Sequence, residues 1–175
     1  LTMDEIETLH SYDFSKHSYI DQHSVDWWLI LALTGMRVGD GTRLTKENLS
    51  KDGFFVQDMQ KVSGRVVVPL HRIVKEIMSK YNGSLPDPRS DQWINRNIKK
   101  ACMLAGIKSQ VVSTRTEGGK KVTTKCEKWQ VVTTHTGRRS LATNMYLAGF
   151  PLEVIRLLTG HSNSNQLLKY IKVTA

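Results

Sequence analysis

Three cationic or potentially cationic side chains crowd into five positions at the start of HTGRRSLATNMYLAGF, residues 135–150: His135, Arg138 and Arg139. On a helix, His135 and Arg138 are three apart and project from one face of the first turn. A helix N-terminus already offers free N–H groups and partial positive charge, so cations there are disfavoured unless an anion joins them. A phosphate suits such an arrangement. Arg139 points elsewhere and reads as a surface or salt-bridge residue. Three further stretches carry reactive groups. TGMRVGD places Arg37 just past an apolar run, with Asp40 three residues on to hold it. QKVSGRVVVPL puts the flexible ammonium of Lys61 at a hairpin turn. LTGHSNSNQLLKYIKV sets His161 after Gly160 and Tyr170 nine residues later. Taken singly, each has a plainer reading: a solvated basic turn, an arginine after a glycine, a hairpin lysine, a half-buried tyrosine.

The elements that must position these groups follow from periodicity and punctuation. Thr2 with Glu5 three residues on predicts a capped helix start. Ser24 can cap a second helix, almost wholly apolar through Leu33 and therefore central, ended by Gly35. Residues 54–59 and 65–69 read as short strands around Val62-Ser63-Gly64. A helix over 70–81 places Ile73, Ile77 and Met78 on one face. Another starts at Ser90 or Asp91, aligns Ile94, Ile98, Ala101 and Ala105, and ends at Gly106. Residues 107–132 predict a long, basic, exposed hairpin turning at Glu117-Gly118-Gly119. It is a candidate for contact with a nucleic-acid backbone, and a solvated surface hairpin equally. Thr134 is then expected to cap a helix running to Gly149, with Leu141, Met145 and Ala148 as its core face. Pro151 opens the next helix and Gly160 closes it. A last short helix should contain Tyr170, with Leu167, Leu168 and Ile171 as anchors. The fold class expected is mainly α with small β-hairpins, α+β.

The 175 residues suit one domain, and 39% hydrophobic content supports a packed core. Lys and Arg total 25 against 16 Asp and Glu, net +9, which points to a polyanionic partner: nucleic acid first, an anionic membrane second. The longest apolar run, Trp27 to Leu33, is far too short to span a bilayer. The acidic opening Leu1-Thr2-Met3-Asp4-Glu5 does not read as a signal peptide. Cys102 and Cys126 lie in dissimilar contexts and suggest neither a disulfide framework nor a zinc site, so a cytoplasmic setting is expected. The absent starting Met suggests a domain from a longer protein.

The order Arg, Lys, His-x-x-Arg, Gly-His, Tyr resembles the catalytic domain of tyrosine recombinases, the phage-integrase family. HTGRRSLAT, then LTGH, then Tyr170 carry the resemblance, which covers nearly the whole chain from LTMDEIETL to LLKYIKV. The flavour is that of integrases of bacterial mobile elements and phages. The resemblance implies that residues 1–175 are one catalytic domain of that fold. It implies that Arg37 and Arg138 clamp the scissile phosphate, with Asp40 supporting the first. Tyr170 would be the nucleophile, giving a 3′-phosphotyrosine and a free 5′-hydroxyl. His135 would accept its proton, Lys61 would protonate the leaving oxygen, and His161 would hydrogen-bond the phosphate. A tyrosine pKa near 10 costs about 4 kcal/mol to ionise at pH 7, so the neighbouring groups have work to do. No metal, ATP or other cofactor is expected. The implied partner is double-stranded DNA, with no membrane; the full-length protein would form a tetrameric synapse and this fragment a monomer. A separate DNA-clamping domain and a tail after the tyrosine, usual in the family, are expected to lie outside the chain. A type IB topoisomerase, or a DNA-binding module without catalysis on the same fold, are the alternatives.

Overall fold

The computed structural model describes residues 1–50, 53–58 and 65–171. Its centre is α2 (Gln22–Thr34), in which every residue from Ser24 to Thr34 is buried. A helix apolar all round is stable only when other elements cover it on all sides. Here α1 (Met3–Ser11), α4 (Arg72–Lys80), α5 (Asp91–Leu104) and α6 (Thr134–Leu147) do so. Trp27 and Trp28 are the largest side chains of this core. Each contributes about 1.5–3 kcal/mol or more by burial, provided its indole N–H finds an acceptor. Trp27 donates to the Asp87 carbonyl and Trp28 to the Thr133 carbonyl, both at 2.8 Å. The second bond joins the core helix directly to the start of α6.

α1 begins with the expected capping box between Thr2 and Glu5. At α2 the cap differs from the expectation. Asp21 is the N-cap, and Ser24 instead donates its hydroxyl to the Asp21 carboxylate at 2.6 Å. The C-cap is Gly35, in the left-handed region at φ +67°. That backbone favours glycine, and a Cβ there would lie 2.5 Å from Leu141 Cδ2, so the leucine side chain would have to shift. Gly35→Ala is expected to destabilise the fold by about 1–3 kcal/mol, measured as a lowered urea midpoint with unchanged slope.

The chain then turns through the short α3 (Val38–Gly41) into an antiparallel pair, β1 (Phe54–Asp58) with β2 (Arg65–Pro69), registered Phe54 to Pro69 and Asp58 to Arg65. The expected turn at Val62-Ser63-Gly64, and Lys61 with it, lies outside the described residues. α4 and α5 follow the predicted faces, with Ile73, Ile77, Met78, Ile94, Ile98 and Ala101 all buried. The second hairpin is β3 (Gln110–Glu117) and β4 (Lys120–Glu127), reversing at Gly118-Gly119 as expected.

α6 is capped by Thr133, not Thr134: the Thr133 side chain accepts from the Thr136 N–H in a reciprocal box. The helix ends at Leu147, and Ala148 is exposed rather than part of the core face. The buried stripe is Thr134, Gly137, Arg138, Ser140 and Ala142, an unusually polar set that apolar periodicity cannot reveal. α7 (Leu152–Thr159) ends at Gly160, and α8 (Ser164–Leu168) is capped by Asn163. Ala142, Ile155 and Leu167 form a small second core that seats α7 and α8 on α6, with Ile171 packed against it. Leu168 is exposed, and Tyr170 lies just beyond α8 in a turn rather than within the helix.

Candidate active site

Five of the expected site residues converge where the C-terminal ends of α2 and α7 meet the first turn of α6. Arg138 is buried at this junction. Its guanidinium donates to the Gly35 carbonyl at 2.6 Å and to the Thr159 carbonyl. Those carbonyls close α2 and α7, where the helix dipoles are negative, so they offset part of the cost of burying a cation. Burial, with Arg37 adding to it, lowers the Arg138 pKa to about 10, which leaves it charged at neutral pH. Arg37 caps α3 and reaches the same place with a buried guanidinium nitrogen, Nη1, that has no partner among the described residues. A buried donor without an acceptor is costly unless a ligand completes it.

Arg37, Arg138 and His135 line one cleft of about 290 Å³, together with Met36, Val38, Gly39, Asp40, Asp91 and Thr134. Asp40 is buried, and its carboxylate accepts from Arg43 at 3.0 Å. Among the described residues it makes no side-chain hydrogen bond to Arg37. Its tie to that residue is through the helix turn, its N–H donating to the Arg37 carbonyl at 2.9 Å.

Tyr170, half-buried, stands between the two imidazoles. Its ring meets His135 edge-on at a centroid distance of 5.1 Å and His161 at 4.5 Å. The αL turn at Gly160 directs His161 inward, where it is 5% exposed. Its Nδ1 lies 2.7 Å from the Thr159 hydroxyl, and its Nε2 is buried without a partner among the described residues. Burial first, then Arg138 and Arg37, depress the His161 pKa to about 4. His135 is likewise depressed, by burial and then by Arg139, Arg138 and Arg37. Both imidazoles are therefore uncharged at neutral pH, beside a phenol and two guanidinium groups.

The His161 shift has a consequence for stability. A histidine ordinarily near 6.5 that titrates near 4 when folded binds its proton more readily in the unfolded chain. Its contribution is full at neutral pH and is lost as pH falls from about 6.5 towards 4. Urea unfolding at pH 5 is expected to show about 1–2 kcal/mol less stability than at pH 7 from this group, a loss that His161→Gln removes.

Arg37, His135, Arg138, His161 and Tyr170 thus come together as the spacing suggests, and Lys61 lies outside the described residues. Arg139, also on α6, bears on the site only through its charge beside His135. Two contributors had no signal in the sequence. Thr159 holds Arg138 through its carbonyl and His161 through its hydroxyl. Asp91, at the start of α5, lines the cleft although some forty positions separate it from His135. A larger open groove of about 800 Å³ lies between Ser18–Gln22 and Pro88–Trp93. Its carboxylate, Asp21, is taken up by Ser24, Arg89 and Trp93. Among the described residues no cluster of His, Cys, Asp or Glu could hold a metal ion, and no helix is long and apolar enough to cross a membrane.

This is a mostly helical catalytic-domain architecture with small antiparallel sheets, of the tyrosine recombinase type. The chain belongs to the phage integrase family, whose model matches residues 1–175. In structure it is similar to XerA recombinase, with a TM-score of 0.68 at 18% identity over 99% of this chain and 59% of that one. It is also similar to lambda integrase, solved as a dimer bound to a COC′ core site, with a TM-score of 0.65 at 19% identity over 98% of this chain and 58% of the other. The Tn1549 transposon integrase in complex with transposon right end DNA gives 0.61 at 17% identity over 100% and 61%. The chain thus spans about three fifths of the length of these solved proteins. No curated protein matches it in sequence.

Proposed function

We propose that the chain is the catalytic domain of a site-specific DNA recombinase or integrase that breaks and rejoins strands through Tyr170. The observation that carries this reading is the placement of one phenol between two imidazoles, beside a cleft lined by the buried guanidinium of Arg138 and the partly buried one of Arg37. Tyr170 Oη attacks the scissile phosphorus, its proton passing to His135. The P–O5′ bond breaks as the Tyr–O–P bond forms, leaving a 3′-phosphotyrosine and a 5′ oxygen that takes a proton from Lys61. A 5′-hydroxyl from another strand then reverses the chemistry with no net loss of bond energy, so nucleotide hydrolysis is not required. Arg37 and Arg138 hold the non-bridging oxygens and stabilise the charge of the pentacoordinate transition state. The unpartnered Arg37 nitrogen, and the part of the Arg138 fork not bound to carbonyls, are the donors available for this. His161 adds a contact to the same phosphate.

The partner is double-stranded DNA, in keeping with a net charge of +9. The solved lambda and Tn1549 integrases above are bound to DNA, and the lambda integrase as a dimer. In the full-length protein the domain works within a tetrameric synapse; alone it is a monomer, placed in the cytoplasm.

The test is trapping on a nicked duplex carrying the recombination site, from which the short 5′ product diffuses away. The full-length protein is expected to give a covalent protein–DNA band in denaturing gels, in buffer containing EDTA and no ATP. Salt-sensitive duplex binding with no such band would identify a binding module instead. Relaxation of supercoiled DNA lacking the site would favour a type IB topoisomerase.

A further inference from the structure

Thr134, the first residue of α6, is not free to cap its helix because α5 holds it. Its N–H donates to Asn95 Oδ1 at 2.7 Å and its hydroxyl donates to Asp91 Oδ1 at 2.7 Å. Asn95 Nδ2 donates to the same Asp91 oxygen at 3.0 Å, so the two α5 side chains brace each other one helical turn apart. Thr134 is 8% exposed, Asn95 half-buried and Asp91 exposed, so these bonds form where the edge of the core meets the surface. Trp28, from α2, holds the preceding carbonyl of Thr133. One contact alone would leave α6 free to roll about its axis. The Trp28 bond and the α5 pair, coming from different helices, fix the rotation of its first turn. His135 and Arg138 leave that turn on the face lining the cleft.

Asp91 is otherwise misplaced. A carboxylate lining a cleft with Arg37 and Arg138 weakens attraction for an anion there. The Thr134 grip gives this carboxylate an offsetting role. We infer that Asp91 and Asn95 are positioning residues of the site: by gripping Thr134 they aim His135 and Arg138 into the cleft. They touch neither phosphate nor Tyr170. This rests on the reading that the cleft receives the scissile phosphate.

The test uses single-turnover adduct formation at saturating nicked duplex, with duplex affinity and thermal midpoint measured on the same full-length proteins. Thr134→Val removes the hydroxyl donor and keeps the branched shape. It is expected to slow adduct formation about 10- to 100-fold, the size of effect a small misaim produces, with duplex affinity within about twofold. Thr134→Ser restores the donor and is expected to return the rate to within about threefold of the unsubstituted protein. Asp91→Ala removes the same bond and the Asn95 brace as well, so it should slow adduct formation at least as much as Thr134→Val, and the double variant should be no slower than Asp91→Ala alone. Multiplying losses in the double variant overturn the inference. So does a Thr134→Val protein at full rate, or one whose affinity and midpoint fall with the rate and are not recovered by serine. If Tyr170→Phe still forms the adduct, the phosphate reading fails, and the grip, with no site to aim, is overturned with it.

Discussion

Tyr170→Phe is expected to abolish the covalent protein–DNA band while leaving duplex affinity within about twofold, because phosphate contacts elsewhere carry most of the binding. The substitution removes one oxygen. The phenyl ring that remains can keep both edge contacts, at 5.1 Å to His135 and 4.5 Å to His161. Packing, and with it stability, should change little, since the residue lies in a turn beyond α8 and is only partly buried. Loss of a nucleophile is a loss of kind, since the proposed mechanism gives the two histidines to the proton and the phosphate and not to attack on phosphorus. A fall of about 10⁴-fold or more in adduct rate is expected, the scale seen when a nucleophile is deleted from a site that otherwise remains whole. The readout is a denaturing gel of the nicked-duplex reaction over hours, with filter binding on the intact duplex alongside. An undiminished band in the Tyr170→Phe protein would end the assignment and direct attention to another hydroxyl.

The chemistry of this site was more legible in the sequence than its support was. His135 and Arg138 announce themselves because cations at a helix N-terminus run against the dipole. The central helix is equally plain, since Trp27 to Leu33 is too apolar to face water. Glycines with positive φ ended α2 and α7 where expected, because few other residues adopt that backbone. Misplacements have one cause. Threonine, serine and aspartate can each cap a helix, and local sequence does not say which one long-range bonds have claimed. At α2, Asp21 stands at the N-cap position but makes no side-chain capping bond, its carboxylate accepting instead from Ser24, Arg89 and Trp93. Thr134 yields the α6 cap to Thr133 because Asp91 and Asn95 hold it. On α6, Met145 of the expected face packs against the small core and Leu141 is partly buried, while Ala148 is exposed and the fully buried stripe includes Gly137 and Arg138, which apolar periodicity does not mark. A buried arginine is stable there only because α2 and α7 end their carbonyl rows on it, and neither helix end is near it in the chain.

That double attachment makes Arg138 the position where catalysis and fold can be separated most sharply. Arg138→Ala leaves the Gly35 and Thr159 carbonyls without their partner, a cost of about 1–3 kcal/mol for each buried group left unsatisfied. On the proposed mechanism it also deletes a donor aimed where the transition state gains charge, and one such donor accounts for about 10²–10³ in rate. Arg138→Lys tells the two apart. Lysine keeps the charge, but a single ammonium cannot span both carbonyls and still present a planar fork to a phosphate. Most of the stability loss in Arg138→Ala is therefore expected to be recovered in Arg138→Lys, as a raised urea midpoint. Adduct formation should stay at least about 10²-fold below the unsubstituted protein, because the fork and not the charge holds two phosphate oxygens. Affinity for intact duplex should change far less in either variant, since contacts elsewhere on a chain of net charge +9 carry the salt-dependent binding. A lysine variant that cleaves at the original rate would show that Arg138 serves only as the pin between α2 and α7, and would leave Arg37 as the phosphate clamp of this site.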